Sequence, residues 1–372
     1  MAAFEHGGPD ALGVAAHDLS TNANALGPCP LALAALRAAD AARYPDPAYT
    51  RLSAQLADWH RVAPQRVVLA ASASEFIQRI TLAVALLQQR CAGVWLPEHA
   101  YGDYARAARA AGLARVARAA QAALIWAAEP SSPLGQAQAN LAAQVAALRG
   151  GQTLVLDQAY EPLRLSGAPS LTDDALPRVW RLITPNKALG LCGVRAAYAI
   201  APGDNDAQHT ARLLARVWQM APSWPVGAHG VALLQVWASA PAQTWLAESR
   251  ASLRNWKARQ IEWLQADGWQ IAPGAANFLV ATRASFSALR VRALLAALRP
   301  LGFKLRDCAS FGLPGHVRMS VAAPNVQDAL RHALRTLAQG NGPLAQENTC
   351  RKDQHAAHCK AVDGPMALLN LR

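Results

Sequence analysis

Residues 184–195 read TPNKALGLCGVR and lie between two apolar, β-prone runs, 179–183 and 196–200. Lys187 is poorly placed there for a solvated charge, although most lysines beside strands are surface residues. Burial lowers the pKa of a lysine amine, and the free base can then attack a carbonyl carbon. Arg195 offers a planar guanidinium that suits a phosphate. The segment therefore predicts a reactive lysine beside an anion site.

Composition is typical of a large globular protein. The chain has 372 residues, of which 52% are apolar, so we expect a large core and two domains. No run approaches the roughly 18 apolar residues of a membrane span, and the N-terminus lacks the basic start of a signal peptide. We therefore expect a cytoplasmic protein without membrane contact. The six cysteines are too scattered for a disulfide framework.

The formal net charge of +12 raises the question of nucleic-acid binding. The arginines are dispersed, however, and do not form a basic run with interleaved aromatic residues. A positive cleft for an anionic cofactor or substrate also explains the charge. We therefore predict no nucleic-acid partner.

Several segments repeat the order apolar strand, turn, helix. Residues 67–70 read VVLA and run into the small-residue turn 71–75, ASASE, which precedes a helical pattern. A helix N-terminus after such a turn suits a phosphate, although Ser74 and Glu75 also fit ordinary N-cap chemistry. Tyr101 follows the strand-like run at 94–96 and is placed to stack on a flat ring.

Asp157 ends the apolar run 153–157, TLVLD. An acid at the end of a parallel strand lies at the ligand edge of an open α/β sheet, although an N-cap role is equally open. The repeated order predicts a doubly wound, mostly parallel sheet of about seven strands. Helical periodicity predicts helices at 31–42, 76–87, 207–220, 231–264, 284–298 and 326–337.

The pattern changes along the chain and predicts four regions. We expect an N-terminal arm at 1–35 that packs with the small domain, a large domain at 36–270, a small α/β domain at 271–340 and a disordered tail at 341–372. The tail holds four sulfur and imidazole side chains, Cys350, His355, His358 and Cys359. Their spacing is looser than in structural zinc sites, so we predict no metal, with zinc as the alternative.

These segments resemble those of the fold-type I enzymes that depend on pyridoxal phosphate (PLP), within the class I/II aminotransferase superfamily. They are most similar to the histidinol-phosphate aminotransferase and threonine-phosphate decarboxylase group. The resemblance rests on the lysine segment, on DQAY at 157–160, on YPD at 44–46, on HGG at 6–8 and on the arginine strand at 317–321. It implies the α/β fold-type I transferase fold, with a large PLP-binding domain, a small C-terminal domain and PLP as the cofactor.

The resemblance also implies a role for each matching residue. Lys187 is the implied Schiff-base lysine, Asp157 the partner of the pyridinium nitrogen and Tyr160 the partner of the phenolic oxygen. The other implied cofactor contacts are Tyr44, Ser72, Ala73, Ser74, Tyr101, Ser132, Thr184 and Arg195. The implied substrate contacts are His6, Asn24, Arg306 and Arg318. Tyr44 is implied to reach the neighbour's cofactor phosphate, which requires a homodimer with shared active sites.

Four positions depart from the family pattern, one of them Ala25, which stands where the family usually has proline. Ser132 stands where the family has the asparagine that binds the phenolic oxygen, and Glu129 replaces an earlier asparagine. Ser72 replaces the usual glycine of the phosphate turn. A serine is shorter than an asparagine but still donates one hydrogen bond.

The resemblance favours one activity and leaves others open. The preferred function is the decarboxylation of O-phospho-L-threonine to an aminopropanol phosphate for cobalamin biosynthesis. The alternative is an aminotransferase of the histidinol-phosphate type, because both groups share the cofactor residues. A third possibility is a binding protein that has lost catalysis, which only Glu129 and Ser132 suggest.

Overall fold

The structure is a computed structural model, and it describes residues 6–88, 93–203 and 206–339. The predicted tail at 341–372, with its candidate zinc ligands, lies outside the described residues. The division into four regions stays a prediction.

Helices and strands alternate along the described chain. The strands are β1 (His17–Asp18), β2 (Val67–Ala70), β3 (Gly93–Trp95), β4 (Ala114–Arg115), β5 (Leu124–Ala128), β6 (Thr153–Asp157), β7 (Trp180–Ile183), β8 (Ala197–Ile200), β9 (Gln270–Ala272), β10 (Phe278–Thr282), β11 (Phe303–Lys304), β12 (Arg306–Asp307) and β13 (Val317–Ser320). The α-helices are α1 (Pro30–Ala38), α2 (Thr50–His60), α3 (Ala73–Leu87), α4 (Gly102–Ala110), α5 (Leu141–Ala146), α6 (Ala207–Gln219), α7 (Ala228–Trp237), α8 (Ala240–Ala266), α9 (Ala288–Leu298) and α10 (Pro324–Gln339).

A seven-stranded sheet forms the centre of the fold, in the order β2-β8-β7-β6-β5-β3-β4. Only β8 runs antiparallel to its neighbours β2 and β7 among these described strands. The predicted doubly wound, mostly parallel sheet of seven strands is therefore confirmed. Every residue of β5 and β6 is buried, because helices cover both faces of the sheet.

Alternate side chains of each strand enter cores on opposite faces of the sheet. In β2, Val68 and Ala70 pack into one hydrophobic cluster, whereas Val67 and Leu69 pack into the other. The period of two follows from the pleated backbone. Because β5, β6 and β7 are parallel, their carboxyl ends share one edge, where ligands bind in open α/β sheets.

A second sheet, in the order β12-β13-β10-β9, is antiparallel throughout and belongs to the C-terminal part of the chain. Helices α9 and α10 contribute Leu294 and Leu330 to the core that covers it. The N-terminal arm joins this part through β1, which pairs in parallel with β11. The arm is therefore held between the C-terminal sheet and the central sheet.

Several predicted helix boundaries were wrong, among them the start of the helix predicted at 284–298, which begins at Ala288. The helix predicted at 31–42 ends at Ala38, because Ala39 has an extended backbone. The predicted helix at 231–264 is two helices, since Ser239 is extended and Pro241 lies in the first turn of α8. Proline lacks the N–H group that would continue the preceding helix. Helix α3 begins before the predicted residue 76, with Ser72 as its N-cap instead of the predicted Ser74.

No helix within the described ranges has both the length and the apolar content needed to cross a membrane. The same residues contain no group of three or more His, Cys, Asp or Glu side chains placed to hold a metal ion.

Candidate active site

A cavity of about 820 Å³ opens at the edge of the central sheet where β5, β6 and β7 end. The C-terminal sheet and the N-terminal arm close its other sides. Most residues that the sequence assigns to the site line this cavity: His6, Ser72, Ala73, Ser74, Tyr101, Ser132, Asp157, Tyr160, Thr184, Lys187, Arg195, Arg306 and Arg318. Residues up to 312 positions apart in the chain thus meet in one place, since His6 and Arg318 both line it.

Lys187 lies half-buried in the loop between β7 and β8. Its Nζ is 5.3 Å from the ring centroid of Tyr160. The N-terminal arm packs tightly against this loop. A Cβ atom added to Gly190, whose φ is +66°, would lie 2.2 Å from the carbonyl oxygen of Gly27. Only glycine allows this close approach. The loop therefore holds the lysine backbone in place while the amine faces the cavity.

Asn24 takes part in this packing of the arm against the loop and does not line the cavity. Its backbone N–H donates to the carbonyl of Lys187 at 2.9 Å. Its side-chain amide donates to the carbonyl of Ala188 at 3.0 Å, and its Oδ1 accepts from the backbone of Leu26 at 3.1 Å. The structure thus gives Asn24 contacts with the lysine loop, and its contact with substrate stays a prediction.

Asn22, which the sequence interpretation passed over, does not line the cavity either but contacts Tyr160 of its wall. It is fully buried, and its Nδ2 donates to Tyr160 Oη at 3.2 Å. Asn277 holds the strained backbone of Asn22, at φ +62°, by donating to its carbonyl at 3.0 Å. The signal that could have found this residue is the first asparagine of the Asn-x-Asn segment.

Asp157 is 7% exposed at the end of β6 and lines the cavity. Its Oδ2 accepts from Tyr104 Oη at 2.6 Å, and its Oδ1 accepts from the backbone of Ala159 at 2.9 Å. Burial raises the pKa of Asp157, and these two hydrogen bonds act in the opposite direction by stabilising the carboxylate. A carboxylate in this position can pair with a protonated ring nitrogen.

An anion cradle is formed by the N-terminus of α3 and the lysine loop. Ser72 caps the helix by accepting from the backbone of Glu75 at 3.1 Å, so Ala73 and Ser74 occupy its first turn against the cavity. First-turn N–H groups have no partner within a helix and attract anions. Thr184 is 5% exposed, and its hydroxyl has no hydrogen-bond partner in the described chain. With Arg195 also on the wall, these groups fit a phosphate.

Two buried arginines face the cavity from neighbouring strands of the C-terminal sheet. Arg306 and Arg318 are register partners and are 3% and 5% exposed. Arg318 donates to Ser132 Oγ at 3.3 Å and to the carbonyl of Ser20 at 3.2 Å. Both guanidinium groups lie near the ring of Phe311, at 5.0 Å for Arg306 and 5.4 Å for Arg318. This wall can bind a substrate that carries more than one negative group.

Glu129 lies behind the loop that carries Ser132 and is 3% exposed. Its Oε1 accepts from Arg164 Nη2 at 2.9 Å and from the backbone of Ser170 at 2.7 Å. Arg164 also donates to both carboxylate oxygens of Glu161. The departure from asparagine is thus accompanied by a buried ion pair that fixes this loop.

Replacing Glu129 with glutamine should lower the free energy of unfolding by about 2 kcal/mol, because a buried charge-assisted hydrogen bond is lost while Arg164 stays buried. Denaturant unfolding of both proteins measures the change. The matched control is Glu161→Gln, whose side chain is 26% exposed, and its effect should be smaller. Equal losses for the two variants would contradict the prediction.

Tyr44 lies apart from the cavity of its own chain. It is 78% exposed and stacks on Trp224 with ring centroids 4.3 Å apart. Trp224 Nε1 donates to the carbonyl of Pro45 at 3.0 Å, which ties the two aromatic residues together. The tyrosine is therefore presented outward on a fixed support.

Comparison with known proteins agrees with this geometry over almost the whole described chain. The family model of class I and II aminotransferases matches residues 16–337. A histidinol-phosphate aminotransferase from Rhodospirillum rubrum is 29% identical over 350 residues, which cover 87% of this chain and 90% of that protein.

Solved structures share the fold. Histidinol-phosphate aminotransferase from Sinorhizobium meliloti, solved in complex with PLP, superposes with a TM-score of 0.73 at 23% identity, covering 90% of this chain and 96% of that one. L-Threonine-O-3-phosphate decarboxylase from Porphyromonas gingivalis superposes with a TM-score of 0.71 at 18% identity, covering 87% of this chain and 99% of that one. With a family match that spans both sheets and a cavity that fits a phosphorylated ring, the chain belongs to the PLP-dependent class I and II aminotransferase family.

Proposed function

We propose that this protein is a PLP-dependent decarboxylase of O-phospho-L-threonine that supplies an aminopropanol phosphate for cobalamin biosynthesis. The observation that carries the proposal is the position of the HGG arm. His6, Gly7 and Gly8 line the same cavity as Arg306. Both segments are those whose sequence resembles the decarboxylase group, and their meeting at one wall supports a site for the anionic end of the substrate.

The cavity supplies most of the contacts that the resemblance assigns to the cofactor. Bound PLP provides an electron sink for the electron pair left at Cα when one of its bonds breaks. Thr184, Arg195 and the first turn of α3 would hold the phosphate, and Asp157 would pair with the ring nitrogen. Tyr101, which lines the cavity, would cover one face of the PLP ring and exclude water from it.

The remaining residues bind and orient the substrate. Arg318 would hold the α-carboxylate, and Arg306 with His6 would hold the phosphate of the side chain. Lys187 Nζ would hold the cofactor until the substrate amine takes its place, and the freed, protonated amine would deliver a proton to Cα in place of the departed carbon dioxide. The outcome depends on which Cα bond the two arginines align for cleavage, so these two residues decide between decarboxylation and proton removal.

The proposal includes a homodimer with shared active sites. Tyr44 is exposed and does not line the cavity of its own chain. By the resemblance of its YPD segment, we place its hydroxyl at the cofactor phosphate of the second protomer. The stacked Trp224 would keep the ring extended toward that site.

Incubation of the holoenzyme with O-phospho-L-threonine, without any oxo acid, tests the function. We expect steady formation of carbon dioxide and aminopropanol phosphate over many turnovers. Unphosphorylated L-threonine is the matched control substrate and should react more slowly, because Arg306 and His6 would lack their anion. Absence of carbon dioxide with both substrates contradicts the proposal.

The second candidate is an aminotransferase of the histidinol-phosphate type. Curated relatives from Rhodospirillum rubrum and other bacteria carry that name, which favours this alternative. It predicts transamination of histidinol phosphate when oxoglutarate is added, and no release of carbon dioxide from O-phospho-L-threonine. The same two assays therefore separate the candidates.

A further inference from the structure

Tyr104 lies next to the candidate site and contacts its key carboxylate. It belongs to α4, is 1% exposed, and its Oη lies 2.6 Å from Asp157 Oδ2. Its ring stacks on Trp126 at 4.4 Å with an interplanar angle of 8°. The ring also meets Tyr101 edge-on at 5.7 Å. Packing on two sides fixes the ring, so the hydroxyl is held on Asp157.

The carboxylate of Asp157 depends on such donors. A buried carboxylate is costly unless it accepts hydrogen bonds, and without them it takes up a proton. The structure gives Asp157 a backbone donor, Ala159 N–H, at 2.9 Å and a side-chain donor, Tyr104. Burial and the nearby Asp157 raise the pKa of Tyr104 well above its usual value, so the phenol remains protonated and can donate at any physiological pH.

We propose that Tyr104 is the positioning residue of Asp157, whose hydroxyl keeps the carboxylate ionised and fixes its orientation toward the ring nitrogen of PLP. The inference rests on the role given to Asp157 in the proposed function. It assigns two separate tasks to one helix. Tyr101, at the N-cap of α4, covers the cofactor ring, and Tyr104, three residues later, sets the charge opposite the ring nitrogen.

Tyr104→Phe tests this inference because it removes the hydroxyl and keeps the ring stack. Titration of the apoenzyme with PLP should show binding weakened about 10- to 100-fold, the loss expected for one hydrogen bond to a charged group. In the holoenzyme kcat should fall while KM changes little, because the substrate contacts are untouched. The PLP titration needs no substrate, so its result stands whichever reaction the enzyme catalyses.

A double-mutant cycle shows whether the effect passes through Asp157. In the Asp157→Asn background, Tyr104→Phe should weaken PLP binding by less than about twofold more, because the charge that the phenol supports is gone. Tyr198→Phe is the matched control. Tyr198 is also buried and accepts from Trp237 Nε1 at 3.0 Å, but it does not line the cavity, so PLP binding should be unchanged.

Two results would overturn the inference. One is wild-type PLP affinity in Tyr104→Phe. The other is an equal loss of affinity with and without the carboxylate of Asp157, since that outcome assigns the effect to packing alone.

Discussion

Replacing Lys187 with alanine is expected to lower kcat by about 10⁴-fold, the upper range for loss of a group that transfers protons. The variant would lose both the amine that holds the cofactor and the amine that serves Cα. Lys187 Nζ lies 5.3 Å from the ring centroid of Tyr160. Among the described residues that line the cavity, Lys187 is the only lysine, so no other amine there can replace it. Steady-state turnover of O-phospho-L-threonine measures the loss.

A covalent test accompanies the kinetic one. Borohydride reduction of the wild-type holoenzyme, followed by peptide mass spectrometry, should place the reduced cofactor on the peptide that contains Lys187. Lys257→Met is the matched control, because Lys257 is also poorly exposed, at 8%, and its Nζ donates to the carbonyls of Gly274 and Ala276. That variant should keep the label on Lys187. Labelling of Lys187→Ala at another lysine, with activity retained, would disprove the assignment.

The central sheet could be predicted from the sequence because its strands are buried on both faces. Such strands read as continuous apolar runs, and the run at 153–157 matches β6 residue for residue. The same runs locate the ligand-binding edge of the sheet. A polar residue at the carboxyl end of a parallel strand lies at that edge. The positions of Asp157 and Thr184 at one cavity follow from this rule and from the order of strands.

Contacts between distant segments could not be read in the same way. The hydrogen bond from Asn22 to Tyr160 joins residues 138 positions apart, and that from Tyr104 to Asp157 joins residues 53 apart. Periodicity shows that Tyr104 is buried but cannot show which polar atom its hydroxyl meets. The choice between Asn22 and Asn24 likewise depends on how the arm crosses the lysine loop, which local patterns do not determine.

Replacing Arg318 with glutamine should raise KM for O-phospho-L-threonine by about 100-fold or more, because truncation of one partner of a buried charge pair costs about 2–5 kcal/mol. Arg318 is 5% exposed and is held by Ser132 and Ser20, so the side chain is ordered before the substrate arrives. The affinity for PLP should change much less than KM, since the implied cofactor contacts other than Ser132 lie on the other walls. Steady-state kinetics and PLP titration of the same preparation measure both quantities.

Comparing Arg306→Gln with Arg318→Gln tests whether the two arginines bind different groups of the substrate. The Arg306 guanidinium donates to Ser310 Oγ at 2.7 Å and lies over the ring of Phe311. His6 of the N-terminal arm lines the same cavity. We expect this variant to lose activity with O-phospho-L-threonine but little with L-threonine, whereas Arg318→Gln should impair both substrates alike because both carry the α-carboxylate. If Arg306→Gln impaired the two substrates equally, Arg306 would not bind the phosphate. The anionic end of the substrate would then have to bind elsewhere on the cavity wall, and the preference for a phosphorylated amino acid would lose its main support.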